Sequence, residues 1–148
     1  MGWQVLLNEH DVIRRGSDSI VIAGMENDGD GKRFPQRGDI EKTLNMKHET
    51  FDTFDTIPGP FILMLEHDPS AWRRKIIPDG RAQLTLSGHT HKMQFSIFGW
   101  CPLSLKGGEF NGWYHEGEQS LFVTSGIGGL IPFRLGAPGE IVVITLRQ

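Results

Sequence analysis

The sequence has a single cysteine, Cys101, in 148 residues. No internal disulfide framework is therefore available to staple the fold. Cationic side chains do not dominate: 15 Lys and Arg against 18 Asp and Glu give a net charge of −3. That balance excludes the broad basic surface that nucleic acid selects. No apolar run approaches the length of a membrane span, and no signal peptide follows Met1. These absences set three expectations: no nucleic-acid partner, no membrane segment in this chain and, by default, a cytoplasmic location. Internal repeats and a dividing linker are absent too, so residues 1–148 read as one domain. What remains is an ordinary globular composition, 38% hydrophobic and 22% charged.

The most informative stretch is residues 61–94. Residues 61–66 form an unbroken apolar run closed by one acid, which suits a strand covered on both faces. Asp68 then stands where a helix N-cap belongs, with Pro69 at the first helical position. Trp72 and Ile76, four apart, share a helix face, and Arg73, Arg74 and Lys75 fall where the C-terminal dipole favours cations. Pro78 and Gly80 stop the helix. Residues 83–87 read as the next strand, parallel to the first.

This strand–helix–strand reading puts His67 and His89 beyond the carboxyl ends of neighbouring strands, where ligands of such sheets gather. Gly88 permits a sharp turn and a close approach to a ligand. In an extended segment His89 and His91 project to the same side, close enough to serve two adjacent ions. Imidazole suits Zn and Fe, and mixed imidazole and carboxylate sites extend to Mn. Two ions about 3.5–4 Å apart clamp a phosphate ester and lower the pKa of a water between them. An H-x-H pair alone is equally read as satisfied polar side chains, so both readings stand at this point.

With these motifs in place, the chain resembles the calcineurin-like metallophosphoesterases, particularly the bacterial branch with a Leu-Ser-Gly-His-Thr-His segment, here Leu86 to His91. His67-Asp68-Pro69 resembles that branch's isolated metal-binding histidine motif. Further likeness runs through Gly112-Trp113-Tyr114, Leu121 to Gly128, Pro132-Phe133-Arg134 and Glu140-Ile141. The resemblance implies that His67 and His89 ligate one metal and His91 the other. It implies two divalent transition-metal ions (Mn, Fe or Zn) in the complete site and hydrolysis of phosphate mono- or diesters, with a small-molecule or lipid-linked substrate. It also implies an α/β fold, a layered β-sandwich flanked by helices, of which this chain supplies the carboxy-terminal half. The family's Asp-x-His, Gly-Asp-x-x-Asp and Gly-Asn-His-Asp/Glu motifs, including the histidine that protonates the leaving group, are absent from this sequence. Gly139 stands where the family often has proline. Self-association, or a missing amino-terminal half, would then cover the exposed apolar surface. The competing readings are a truncated remnant that binds metal weakly and a β-rich binding module with structural histidines.

Elsewhere, residues 3–7, 11–15 and 18–23 read as short strands, the last two as a hairpin. Residues 24–38 form a loop whose Glu26-Asn27-Asp28-Gly29-Asp30-Gly31 is not an EF-hand, because Glu26 opens it and Arg37 occupies the twelfth position. It reads as solvated. Asp39 caps a short helix through Met46, with Ile40 and Leu44 buried. In residues 47–60, Phe51 and Phe54 continue a helix or pin a loop, His48 has no evident partner, and Asp52 and Asp55 read as surface charges. Residues 92–108 either pack over the site or fill core with Phe95, Phe98 and Trp100. Residues 113–115, 119–124 and 140–146 read as strands, and Arg134 as a salt-bridge partner or, alternatively, a phosphate contact.

Overall fold

The structure, a computed structural model, describes residues 2–29, 31–46 and 60–147. The readings at Asp30, His48, Phe51, Asp52, Phe54 and Asp55 lie outside these residues. Six strands form one mixed sheet: β1 (Glu9–Arg15), β2 (Asp18–Gly24), β3 (Phe61–Leu65), β4 (Leu84–Ser87), β5 (Gly112–Glu116) and β6 (Gln119–Val123), in the order β1-β2-β3-β4-β6-β5. The central four are parallel, and each edge strand is antiparallel to its neighbour through a hairpin. The expected hairpin and the parallel β3–β4 pair are both present. A mixed sheet with few helices is consistent with an α/β sandwich.

Period-2 alternation gives the sheet two faces. Val21, Ile62, Met64, Thr85, Leu121 and Val123 align across the register and are fully or nearly fully buried. Helix α2 (residues 72–79) covers this face with Trp72 and Ile76, both without exposed surface. Burying each such side chain contributes roughly 1.5–3 kcal/mol. Asp68 accepts from Ser70 N at 2.9 Å, as an N-cap should, and Gly80 ends the helix at φ 82°. Pro78 does not stop it. α2 is π-helical over Trp72–Ile76 and α-helical over Ile77–Asp79, with Ile77 N donating to Trp72 O five residues back. The wider turn carries the helix past a residue that has no N–H and crowds the carbonyl four back. Helix α1 (Ile40–Thr43) is capped by Asp39, whose side chain accepts from Lys42 N.

The opposite face carries Ile13, Ile22, Phe61, Leu65 and Leu86, each exposed or half-buried. Here the expectation of a strand covered on both sides fails for β3, because no helix or strand among the described residues lies over this face. The segments 3–7 and 140–146 are not strands either. They run irregularly beside it, 4–6 near Ile13 and Leu65, and 141–144 near Leu86 and Phe122. A strand exists through its ladder partner, and neither segment pairs with β1 or β5, the two edges.

The loop at 24–38 is not simply solvated. Asp28 has no exposed surface. Its Oδ1 accepts from Lys75 Nζ at 2.8 Å and its Oδ2 from Arg74 Nη2 at 2.9 Å. The two cations expected to serve the end of α2 thus clip this loop to the helix. Asn8 ties its neck, accepting from Glu26 N and Asp39 N and donating to Arg37 O.

Candidate metal centre

The ladder between β3 and β4 continues past the strands: Glu66 N donates to Leu86 O at 3.2 Å, and Gly88 N to His67 O at 3.2 Å. This register sets His67 beside His89. His89 Nδ1 lies 3.2 Å from His67 Nε2, with the rings edge to face at a centroid distance of 5.0 Å. Two imidazole nitrogens held at 2.0–2.1 Å on one ion, at angles of about 100–110°, lie about 3.1–3.4 Å apart. The pair therefore fits two ligands of one transition-metal ion. Without metal, the same distance is a hydrogen bond between a donor and an acceptor nitrogen.

His91 goes elsewhere. The segment after β4 is not extended: His89 has φ 65°, and His91, Lys92, Met93 and Gln94 lie between 48° and 55°. This left-handed run sets His91 against the loop at Ser125, where its Nδ1 lies 3.3 Å from Ser125 O, while its charge still acts on His67. Such backbone costs about 1–2 kcal/mol per non-glycine residue and clusters at functional sites. Gly88 does not need to be glycine for space, since nothing lies within 4 Å of where its Cβ would stand. No group of three or more His, Cys, Asp or Glu converges as a metal cage among the described residues.

Three neighbours hold the pair in place. Phe34 meets His89 edge to face at 5.0 Å, Thr90 Oγ1 donates to Phe110 O at 2.6 Å, and Asp68 Oδ2 stands 3.9 Å from His89 Nε2. Burial and the neighbouring His89 hold His67 below the ordinary histidine range. A lowered pKa keeps its lone pair free for a metal ion near neutral pH. Glu66 brackets the whole arrangement. It is buried, and its Oε1 accepts from Asp28 N at 3.1 Å and from Asp68 N at 3.0 Å. The loop bearing Phe34 and the turn bearing His67 thus hang on one carboxylate. The signal for Glu66 was present in the sequence, an acid closing a buried strand; none marked Phe34.

Arg134 forms no salt bridge among the described residues. Its guanidinium donates to the carbonyls of Ser125, Gly126, Gly128, Ala137 and Pro138, clipping the loop that passes His91. Glu140 accepts from Ser125 N at 2.8 Å and Thr124 Oγ1 at 2.9 Å, and that backbone hydrogen bond holds its carboxyl below the usual range.

Burial pushes the Glu66 carboxyl up to about 7, against the two amide hydrogen bonds that favour its ionised form. Raised above its unfolded value, it stabilises the fold fully below about pH 4.5 and loses that contribution as pH rises through about 7. His67, depressed, acts in the opposite sense, adding stability as pH rises toward 6.5, so the two oppose each other below that value. Between pH 6.5 and 8 the metal-free chain should therefore lose on the order of 1 kcal/mol through Glu66. Glu66→Gln keeps the accepting oxygen and should remove that slope. Urea unfolding in chelator checks it, and an unchanged slope in the variant would place the titration elsewhere.

The chain is 35% identical over 156 aligned positions, covering all of it, to a Danio rerio protein named "Transmembrane protein with metallophosphoesterase domain". It spans 33% of that protein's length. The similarity supports the metallophosphoesterase family. No family model matches the chain, and no solved structure matches it with significance.

Proposed function

We propose that this chain is the carboxy-terminal part of a metallophosphoesterase domain, and that it contributes half of a dinuclear site hydrolysing phosphate mono- or diesters. The observation that carries the reading is the 3.2 Å approach of His67 Nε2 to His89 Nδ1 beyond the carboxyl ends of parallel strands. His67 and His89 would hold one ion and His91 the second. Bound there, Mn, Fe or Zn supplies Lewis acidity, neutralising charge on the ester phosphate and making water more acidic.

What the chain itself does is position. Phe34 limits rotation of His89, Thr90 pins the turn, and Glu66 fixes the approach of His67. Placement in the bacterial branch rests on the Leu86 to His91 segment and on His67-Asp68-Pro69. A small-molecule and a lipid-linked phosphate ester suit the site equally.

The apolar sheet face supports the other half of the proposal. A cleft of about 600 Å³ between residues 4–6 and that face opens beside Glu66, His67 and Gly88. A second sheet laid on this face would bring its strand ends to the histidines, with the carboxylates this chain lacks. Left alone, the face should drive self-association.

The test is manganese-dependent hydrolysis of an aryl phosphodiester by the purified chain, with His89→Ala as control and sedimentation velocity on the same sample. The expected result is an associating species with no hydrolysis above the control. Hydrolysis that vanishes in His89→Ala would show the chain to be a complete catalyst and overturn the half-site. The second reading, a weakly metal-binding remnant, is favoured by the lack of a three-ligand cluster among the described residues. Reading the DNA upstream of the Met1 codon separates them: in-frame Asp-x-His, Gly-Asp-x-x-Asp and Gly-Asn-His motifs fit the enzyme, and their absence fits the remnant.

A further inference from the structure

Two segments beyond the carboxyl ends of β4 and β6, residues 92–108 and 125–138, form one lobe. Ser96 N donates to Leu135 O at 2.8 Å, and Leu135 N to Gln94 O at 2.9 Å. The buried Gln94 side chain donates to Ile131 O and Phe133 O and accepts from Leu130 N and Ile131 N. Gly136, at φ 65°, passes so close to Ser96 O that a Cβ there would stand 1.9 Å from it. Much of the lobe's backbone polarity is thus satisfied internally, by a scaffold that does not need its apolar side chains inside.

Those side chains face outward. Phe98 occupies a tight turn closed by reciprocal hydrogen bonds between Ile97 and Trp100, both 2.9 Å, and is fully exposed. The expectation that Phe98 and Trp100 fill core is therefore wrong. Ile97, Trp100, Leu130, Ile131 and Phe133 are exposed around it. Neither segment contains an acidic residue, and together they carry Lys92, Lys106 and Arg134. The nearest acids are engaged: Glu109 pairs with Arg73 at 2.5 Å, and Glu140 is turned onto Thr124 and Ser125. In a chain with an excess of acids, this lobe joins cations to protruding aromatic and aliphatic groups with no acid in either segment.

From this combination we infer that the lobe is a contact surface for an anionic lipid bilayer, seated at the interface without crossing it. The shape is a projecting tip, which suits insertion into a deformable apolar medium. Aromatic and aliphatic groups enter the headgroup region while Lys92 and Lys106 meet lipid phosphates. Phe98 is already held in a closed turn, so little backbone freedom is lost on insertion. No helix of the described residues is long and apolar enough to span a membrane. The inference does not depend on the hydrolase reading, since it rests on the lobe alone.

The experiment is co-flotation of the full chain with extruded vesicles of phosphatidylcholine, with and without phosphatidylglycerol. Phe98→Ser and, outside the two segments, Ile141→Ser are compared with the unmodified chain. Both positions are highly exposed, so neither change disturbs the core, and circular dichroism confirms it. The expected result is binding to the anionic vesicles that weakens with salt and falls at least about tenfold in Phe98→Ser, while Ile141→Ser binds as the unmodified chain does. Absence of binding, equal binding to neutral vesicles, or an unaffected Phe98→Ser overturns the inference. So does a self-association that Phe98→Ser abolishes, which would assign the lobe to a second copy of the chain.

Discussion

Asp28→Ala should cost the fold about 3 kcal/mol and detach the loop that carries Phe34. Asp28 is fully buried and accepts from two cations, each about a third exposed: Arg74 at 35% and Lys75 at 34%. Breaking a buried pair by deleting one partner typically costs about 3–5 kcal/mol, because a buried charge is left without compensation. Here the stranded charges reach water in part, which places the cost at the low end. The same cations also hold backbone carbonyls of the loop, Arg74 on Asp28 O and Gly29 O, and Lys75 on Gly38 O at 2.6 Å. Loss of the carboxylate thus loosens both ends of the loop, and with them the Phe34 contact to His89. Thermal unfolding should fall by roughly 10 °C, with a shift of the His89 ring resonances in the same sample. A loss under about 1 kcal/mol would mean that the cluster behaves as ordinary surface ion pairs.

Much of the sheet could be read from the chain because its signals are local. The run at 61–66, the Asp68-Pro69 start and the residue spacing around Gly117 each report a period or a turn within a few residues. The parallel pairing of β3 with β4 followed from one short crossover. What misled was partnership. Residues 3–7 and 140–146 have strand-like composition, but composition does not supply a neighbour, and both remain unpaired. Phe98 and Trp100 are as apolar as core residues, yet the turn that carries them points outward. Pro78 reads as a helix stop, and a π-helical stretch absorbs it.

The candidate centre was legible in part for the same reason. His67 and His89 close consecutive parallel strands, so topology alone brings them together. His91 was read on the assumption of extended backbone, and the left-handed run from His91 to Gln94 removes that assumption. Asp28 looked like one more acid in a glycine-rich loop, and only the tertiary fold brings Arg74 and Lys75, 46 and 47 residues later, onto it.

The account stands most directly on metal binding by His67 and His89. Titration of the chelator-treated chain with Co(II), read by visible absorption and by calorimetry, measures it without any need for turnover. The predicted result is one ion bound per chain, with affinity falling on the order of 100-fold in His67→Ala and in His89→Ala, since each removes one of two imidazole ligands. His91→Ala should leave that affinity within about twofold, because the His91 Nδ1 is engaged by Ser125 O and, among the described residues, His91 makes no direct contact with the pair. Undiminished affinity in His67→Ala would contradict the account, leaving the 3.2 Å approach as a structural hydrogen bond between two histidines.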